Sequence, residues 1–355
     1  MSISPGPSPM KRKSRSQSRG VGGGGSSTSR WAMHSVGAEV AEAVAEAMEK
    51  AGGLLEGSSS GNGSSVGGSS GGSASGAPAQ GQASNSSLAP PPATYRVILK
   101  TGDDMRQDQL VIQLLRLMDK QLKRVGLDLK LTPYSVLATS MNTGVMEMVL
   151  DSAPISYIVE KYRGNTIQSF FKEKHPSNAP GNEFGIEAEV MDTYIKSCAG
   201  YCVATYLLGV GDRHLDNIML RSDGYLFHID FGFIFGKDPK PMPAPIRLTK
   251  EMIDGMGGPQ SANYSRFKTL TCQAYNILRR HATLFTTLAS LMSDAGIEDL
   301  HPDPQTVIMK MHEKFRVDID DEAADAVLLR IIDDSVAAMF PQFLEVLHKI
   351  RVAFR

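Results

Sequence analysis

Apolar and polar positions change rhythm three times along this chain. Tyr95-Arg96-Val97-Ile98-Leu99-Lys100 reads as a strand. From Gln107 to Val125, Leu110, Leu114, Leu115, Met118 and Leu122 recur at three- and four-residue spacing. That period predicts a long helix with one apolar face. Tyr134 to Ala138 and Gly144 to Val149 predict two further strands. After Ile155 the pattern is mainly helical. It is broken by two short apolar runs, Ile218–Leu220 and Tyr225–Ile229, around the turn signal Arg221-Ser222-Asp223-Gly224. Those runs predict a β-hairpin. Strands first and helices later predict an α+β domain, with a small sheet-bearing lobe ahead of a larger helical one.

The chain before Thr94 reads differently. Residues 1–30 are rich in Ser, Gly and Pro, and no acidic residue appears before Glu39. We expect a disordered basic tail. Its cluster Lys11-Arg12-Lys13-Ser14-Arg15 reads as a nuclear signal, an anionic-lipid contact, part of an organelle-targeting segment or a plain solvated tail. Val36, Val40, Val44 and Met48 fall at four-residue spacing and predict an isolated helix within 31–56. Residues 57–93 are a low-complexity Gly/Ser/Ala/Pro linker, too poor in apolar side chains to offset the entropy of ordering. The expected folded domain is 94–355, with an N-lobe at 94–147 and a C-lobe at 148–355. Its end, from Phe340 to Arg355, combines Phe343, Leu344, Leu347, Ile350 and Phe354 with Lys349, Arg351 and Arg355. A cationic amphipathic helix of this kind either lies in a lipid headgroup layer or packs on the large lobe.

Composition narrows the field. With 355 residues and a formal net charge of −1, nothing calls for a nucleic-acid partner. Three cysteines, Cys198, Cys202 and Cys272, do not make a disulfide framework, and a reducing cytosol fits. Cys198 and Cys202 sit one helical turn apart but read as core thiols. No apolar run is long enough to span a bilayer, so any membrane contact is expected to be peripheral.

The chemistry is concentrated in Gly211-Asp212-Arg213-His214-Leu215-Asp216-Asn217 and His228-Ile229-Asp230-Phe231-Gly232. Asn217 and Asp230 are 13 positions apart, at the two ends of the predicted hairpin, so the fold would bring them together. An amide oxygen and a carboxylate suit magnesium, which prefers oxygen ligands and keeps some of its waters. Such an ion bridges nucleotide phosphates during phosphoryl transfer. A DRHxxN loop followed by DFG therefore points to a kinase.

From Lys100 onward the chain resembles the phosphatidylinositol 3-kinases, most closely class III, the vacuolar-sorting and autophagy lipid kinases. The resemblance covers roughly 94–355. It rests on Lys100-Thr101-Gly102-Asp103-Asp104-Met105-Arg106-Gln107-Asp108-Gln109, similar to the family's KxGDDLRQDQ block, and on Leu127 to Tyr134. It also rests on the two catalytic motifs, on Gly236-Lys237-Asp238-Pro239-Lys240-Pro241, and on Glu251-Met252 with Met256-Gly257-Gly258. It implies the two-lobed, protein-kinase-like fold of the phosphatidylinositol 3/4-kinase superfamily, with ATP and Mg2+ or Mn2+ as cofactors. Lys100 is the expected phosphate-contacting lysine, Asp108 the acid that orients it, and Tyr134 a tyrosine of the inner pocket. Glu147, Met148 and Val149 match the hinge that offers main-chain partners to adenine, and Ile229 forms a floor under the base. Asn217 and Asp230 are the expected metal ligands. His214 is the candidate general base, with Asp212 as the alternative, and Arg213 is expected to brace the loop through local ion pairs. Asp216 is expected in a surface or capping role.

The segment from Phe233 to Leu248 would read the lipid headgroup. Class I members carry a dense basic run there, matched to bisphosphorylated inositol. Here only Lys237, Lys240 and Arg247 stand among prolines, with Asp238. That favours unphosphorylated phosphatidylinositol, converted to phosphatidylinositol 3-phosphate on endosomal, vacuolar or autophagosomal membranes by a cytoplasmic, peripheral enzyme. A regulatory protein kinase scaffold and an autophagy or endosomal adaptor are the partners the resemblance implies. The pattern departs in two places. Ser86-Ser87-Leu88-Ala89-Pro90 only weakly matches the family's phosphate loop, and Pro91 to Thr94 leave no room for the strand that should follow. The resemblance also implies a β-sandwich and a helical solenoid ahead of the kinase, and we expect neither within residues 1–93. The alternatives are a phosphatidylinositol 4-kinase, which shares the catalytic loop, or, from the degenerate phosphate loop, a catalytically impaired kinase-fold interaction module.

Overall fold

A computed structural model of the chain describes residues 96–337 except 165, 242 and 302. The basic tail, the expected 31–56 helix, the linker, Ser86 to Pro90 and the C-terminal amphipathic segment lie outside the described residues.

The fold is α+β, as the change of rhythm predicts. Strand β1 (Val97–Thr101), helix α1 (Arg106–Arg124), β2 (Val136–Ser140) and β3 (Thr143–Glu147) come first. The strands form an antiparallel sheet in the order β1-β3-β2, with Val97 opposite Glu147 and Val136 opposite Met146. The apolar stripe of α1 is buried, including Leu110, Leu114, Leu115, Met118 and Leu122. Met105 packs so tightly under β3 that a Cβ on Gly144 would lie 2.7 Å from its sulfur, so only glycine fits there.

The second sheet contains an element the hydrophobic pattern does not announce. Strand β4 (Ser152–Pro154) pairs with β5 (Ile218–Arg221), and β5 pairs with β6 (Leu226–His228). Three residues ending in proline are too few for a strand signal, and proline is tolerated because β4 is an edge. Helices α2 (Ile155–Lys161) and α4 (Ala188–Leu208) pack on this sheet, and α3 (Thr166–Lys174) packs on α2. Then follow α5 (Lys250–Gly255), α6 (Ala262–Arg279), α7 (Ala282–Leu291), a 3-10 turn at Glu298–Leu300, α8 (Pro304–Lys314) and α9 (Asp321–Ala337).

Helix α4 is the axis of the larger part. Every residue from Ser197 to Leu208 is buried. A helix buried on all sides belongs to the core rather than to a surface. Cys198 and Cys202 are among these residues, and burial pushes both thiols well above the usual range. The helix ends at Gly209, whose left-handed φ of 59° lets its N–H close on Tyr206 O. The β5–β6 turn is anchored on α4 through one side chain. Ser197 Oγ donates to Gly224 O at 3.2 Å and accepts from Leu226 N at 3.0 Å.

Gly224 is the tightest point of that turn. Its φ is +96°, and an added Cβ would lie 2.2 Å from Val190 O. Gly224→Ala is expected to cost about 2 kcal/mol or more, from strain and displacement of α4. Urea unfolding measures this; an unchanged midpoint would mean the hairpin does not rest on the helix.

Candidate active site

The hairpin fixes the site from one side. Ile218 pairs with His228, and Ile229 N donates to Asn217 O at 3.1 Å. Asn217 therefore stands opposite Ile229, with Asp230 next along the chain. The amide nitrogen of Asn217 donates to Asp212 O at 3.0 Å, which commits the donor half of that side chain and leaves Oδ1 as its acceptor half. Among the described residues no three carboxylate, imidazole or thiolate groups converge into a protein-only metal cage. One amide oxygen and one carboxylate instead fit a cation that arrives with phosphate and water ligands.

Arg213 fixes the site from the other side. Its guanidinium is buried, with 5% exposure. It donates to Gly211 O at 2.7 Å, to Ile229 O at 2.7 Å and to Asp230 O. The face of Phe231 lies 5.6 Å away. Burial pulls its pKa down to about 10, against the opposing carboxylates of Asp230 and Asp212. The expected bracing is thus made through backbone carbonyls rather than ion pairs. Both Asp212 and Asp230 are held in the left-handed region, with φ of 45° and 61°. Asp tolerates that region better than most residues, but it still carries strain that the surroundings must hold.

His214 is 43% exposed, so a substrate can reach it. Its Nε2 lies 3.9 Å from Asp212 Oδ2, and its Nδ1 lies 3.5 Å from Asp216 Oδ2. Asp216 lies at the surface, as expected, with its side chain 71% exposed, and it accepts from Ser156 Oγ at 2.5 Å. An imidazole between two carboxylates can hold a proton gained from a hydroxyl.

Lys100 is buried, and its ammonium lies 2.5 Å from Asp103 Oδ2. Burial pulls its pKa down, but the carboxylates of Asp108, Asp103 and Asp230 outweigh this and raise it. Asp108 is 3% exposed and accepts from Phe231 N at 3.2 Å. Burial pushes its pKa up to about 6, with the Lys100 charge opposing. Asp108 thus joins the strand lysine to the DFG backbone. Gln107 and Asp299 add to the junction in a way spacing does not reveal. Gln107 Nε2 donates to Phe231 O at 2.9 Å and to Asp299 Oδ2 at 3.0 Å, and that same oxygen accepts from Ile234 N at 2.7 Å.

The residues expected around the base are placed as follows. The Tyr134 ring stands edge-on to Phe227 at 6.1 Å, and its buried hydroxyl has no partner among the described residues. Ile229 is half-buried. At the hinge, Glu147 accepts from Ser135 N through Oε2 at 2.8 Å, and Met148 N donates to Arg96 O at 2.9 Å. Val149 O accepts from Ser152 Oγ at 2.8 Å. Met148 O and Val149 N carry no backbone bond among the described residues and remain available as one acceptor and one donor.

The three basic residues after the DFG motif fare differently. Lys237 Nζ lies 3.0 Å from Asp299 Oδ1 and donates to Glu298 O and His301 O. Arg247 pairs with Asp238, whose side chain is 3% exposed. Lys240 is exposed and has no ion pair among the described residues. Asp238 is a structural centre that a count of scattered charge overlooks. Its Oδ2 accepts from Asp212 N at 3.0 Å, and its Oδ1 accepts from Lys240 N at 2.8 Å. It therefore ties the activation segment to the catalytic loop.

Residues 94–301 match the phosphatidylinositol 3- and 4-kinase family, and the chain belongs to that family. Within it, the chain is 50% identical over 256 residues to the root isoform of phosphatidylinositol 3-kinase from Glycine max, covering 72% of this chain and 31% of that one. It is 50% identical over 255 residues to the phosphatidylinositol 3-kinase VPS34 of Arabidopsis thaliana, with coverage of 72% and 31%. It is 40% identical over 286 residues to the VPS34 of Saccharomyces cerevisiae, with coverage of 78% and 32%. The chain thus spans about a third of the length of these curated relatives.

Asp108 supplies a pH test. Its folded pKa of about 6 lies above the ordinary 3.8, so the folded state binds the proton more readily than the unfolded chain. Stability should fall as pH rises between about 4 and 6 and level off above that. Asp108→Asn should remove a slope worth up to about 3 kcal/mol, measured by urea titrations across that range. Equal slopes in both proteins would refute the assignment.

Proposed function

We propose that this chain is an ATP-dependent phosphatidylinositol 3-kinase catalytic domain that acts on unphosphorylated phosphatidylinositol. The observation that carries the reading is the joining of the catalytic loop to the DFG segment, through the Arg213 bonds to Gly211 O, Ile229 O and Asp230 O and the bond from Ile229 N to Asn217 O. The similarity to phosphatidylinositol 3-kinases at 40–50% identity supports the same reading. Lys100 would take the nucleotide phosphates, Tyr134 and Ile229 the base, and Met148 O and Val149 N its edge. A divalent ion, Mg2+ or Mn2+, would supply charge neutralisation on the phosphates through Asn217 and Asp230. His214 would accept the proton of the inositol 3-hydroxyl, with Asp212 and Asp216 stabilising the resulting imidazolium.

The choice of headgroup follows from which cations of the activation segment have no carboxylate partner among the described residues. Asp299 engages Lys237 and Asp238 engages Arg247, so Lys240 is the cation of the activation segment best placed to meet a headgroup. One exposed lysine suits a phosphodiester and falls short of the two further phosphomonoesters of a bisphosphorylated inositol. No helix among the described residues is long and apolar enough to cross a membrane, so lipid would be met at the bilayer surface. Endosomal, vacuolar or autophagosomal membranes are the proposed compartments. A regulatory protein kinase scaffold and an autophagy or endosomal adaptor are the proposed partners.

The test is a vesicle assay with phosphatidylinositol and labelled ATP, resolving product isomers. The expected product is the 3-phosphate. His214→Ala should lower kcat about 10²- to 10⁴-fold, and Asp230→Ala at least about 10³-fold. A 4-phosphate product would move the chain to the other branch of the family. Equal activity of wild type and Asp230→Ala would end the catalytic reading altogether.

A further inference from the structure

A cavity of about 130 Å³ lies behind the catalytic loop, and no step above uses it. It is lined by Gly209 and Gly211 at the end of α4, by Gly236, Asp238 and Arg247 of the activation segment, and by Lys314 at the end of α8. The space is several times the ~30 Å³ that one water occupies in the liquid. Its charged lining is three cations, Lys237, Arg247 and Lys314, against one carboxylate, Asp238.

The donors there are not used up. Lys314 Nζ donates to Tyr206 O at 3.0 Å and stands 5.6 Å from the Tyr206 ring centroid. It has no carboxylate partner among the described residues, and burial alone pulls its pKa down to about 8. An ammonium has three N–H donors, so two remain. Arg247 bonds Asp238 through Nη2 only, which leaves Nε and Nη1 without partners among the described residues. Asp238 is already engaged by Asp212 N, Lys240 N and Arg247, and Lys237 is held by Asp299 and two carbonyls. Capping the carboxyl end of α4 accounts for one donor of Lys314. It accounts neither for the open space nor for the spare donors of Arg247.

We propose that this cavity is a binding site for a phosphate-type oxyanion, held between Lys314 and Arg247. A tetrahedral oxyanion presents acceptors in several directions and supplies the missing counter-charge. Free phosphate and the phosphomonoester of a membrane lipid share this chemistry. Either would tie α8 to the activation segment directly beneath Gly209 and Gly211, which lead into the catalytic loop. The proposal stands apart from the assigned reaction, because the ligands of the oxyanion are not those of the nucleotide.

The experiment is thermal unfolding of the full 355-residue chain in rising inorganic phosphate at constant ionic strength. Wild type is compared with Lys314→Met and with Lys310→Ala, an exposed lysine on the same helix. Wild type and Lys310→Ala should gain about 3 °C at tenfold excess over Kd, and Lys314→Met should gain nothing. A gain that persists in Lys314→Met, as phosphate in the nucleotide cleft would give, overturns the proposal, and so does no gain in wild type. Should Lys314→Met fail to fold, the lysines of the wild type can be labelled by reductive 13C-methylation and titrated by NMR. Lys314, the lysine that burial pulls down among the described residues, should move up by about one pH unit when phosphate is added. The groups facing it are Lys237, Asp238, Arg247, Tyr206 and Tyr275, and burial pushes both tyrosines upward, away from this range. An unmoved resonance refutes the site. Phosphatidylcholine vesicles with and without phosphatidic acid then separate the sources: a shift with phosphatidic acid assigns the lipid phosphomonoester, and a shift with free phosphate only assigns the soluble ion.

Discussion

The arrangement of the site depends on one buried guanidinium. Arg213 reaches carbonyl oxygens from two segments, Gly211 before the hairpin and Ile229 and Asp230 after it. A planar fork with five donors can hold three oxygens in fixed directions at once, which a lysine ammonium on a flexible stem cannot do. Burying that charge is costly, and the depressed pKa records the cost. The carboxylates of Asp230 and Asp212 and the face of Phe231 compensate for it. The β5–β6 ladder sets the separation of Asn217 and Asp230 at one end, and Arg213 sets it at the other. Two aspartates in left-handed backbone are sustained by that double constraint.

A second set of bonds joins this constraint to the first sheet. Phe231 N is held by Asp108, Phe231 O by Gln107, and Ile234 N by Asp299. The backbone that follows Asp230 therefore runs between side chains from α1 and from the 3-10 turn near α8. Asp108 carries a conflict: burial favours its neutral form, while the neighbouring Lys100 favours the charged one. Near neutral pH the charged form prevails, which keeps an anion beside the lysine at a cost in stability. Local cost of this kind is common where a charge must be positioned for chemistry.

Much of this was legible in the sequence, for reasons that differ by element. The amphipathic stripe of α1 and the turn chemistry at Arg221 to Gly224 are local signals, and both elements form where the pattern puts them. Strand β4 was not legible, since it exists only because β5 offers it a partner. The motif residues around Asn217 and Asp230 were read from residue types suited to a phosphate-bound cation. Asp238, Asp299 and Gln107 escaped because their roles rest on contacts between residues 26 to 192 positions apart in the chain. Asp216 stands at the surface, as its position beside Asn217 predicts, and what the sequence does not show is its approach to His214. The identity of a charged residue is local information, whereas the identity of its partner is not.

That distinction bears on how a headgroup is read. Counting Lys237, Lys240 and Arg247 treats each as an exposed charge of equal weight. Asp299 and Asp238 each pair with one of them within the protein, so neither is a free surface charge for a headgroup as exposed Lys240 is. Breaking the Arg247–Asp238 pair to bind a headgroup would leave Asp238 buried without its countercharge, and Asp238 also holds Asp212 N. Substrate binding that pulled Arg247 away would thus loosen the catalytic loop that the substrate needs. The activation segment gains order from its own ion pairs at the expense of free positive charge for a headgroup. Under the proposed function, selectivity for a sparsely charged headgroup and integrity of the catalytic loop would be two consequences of the same contacts.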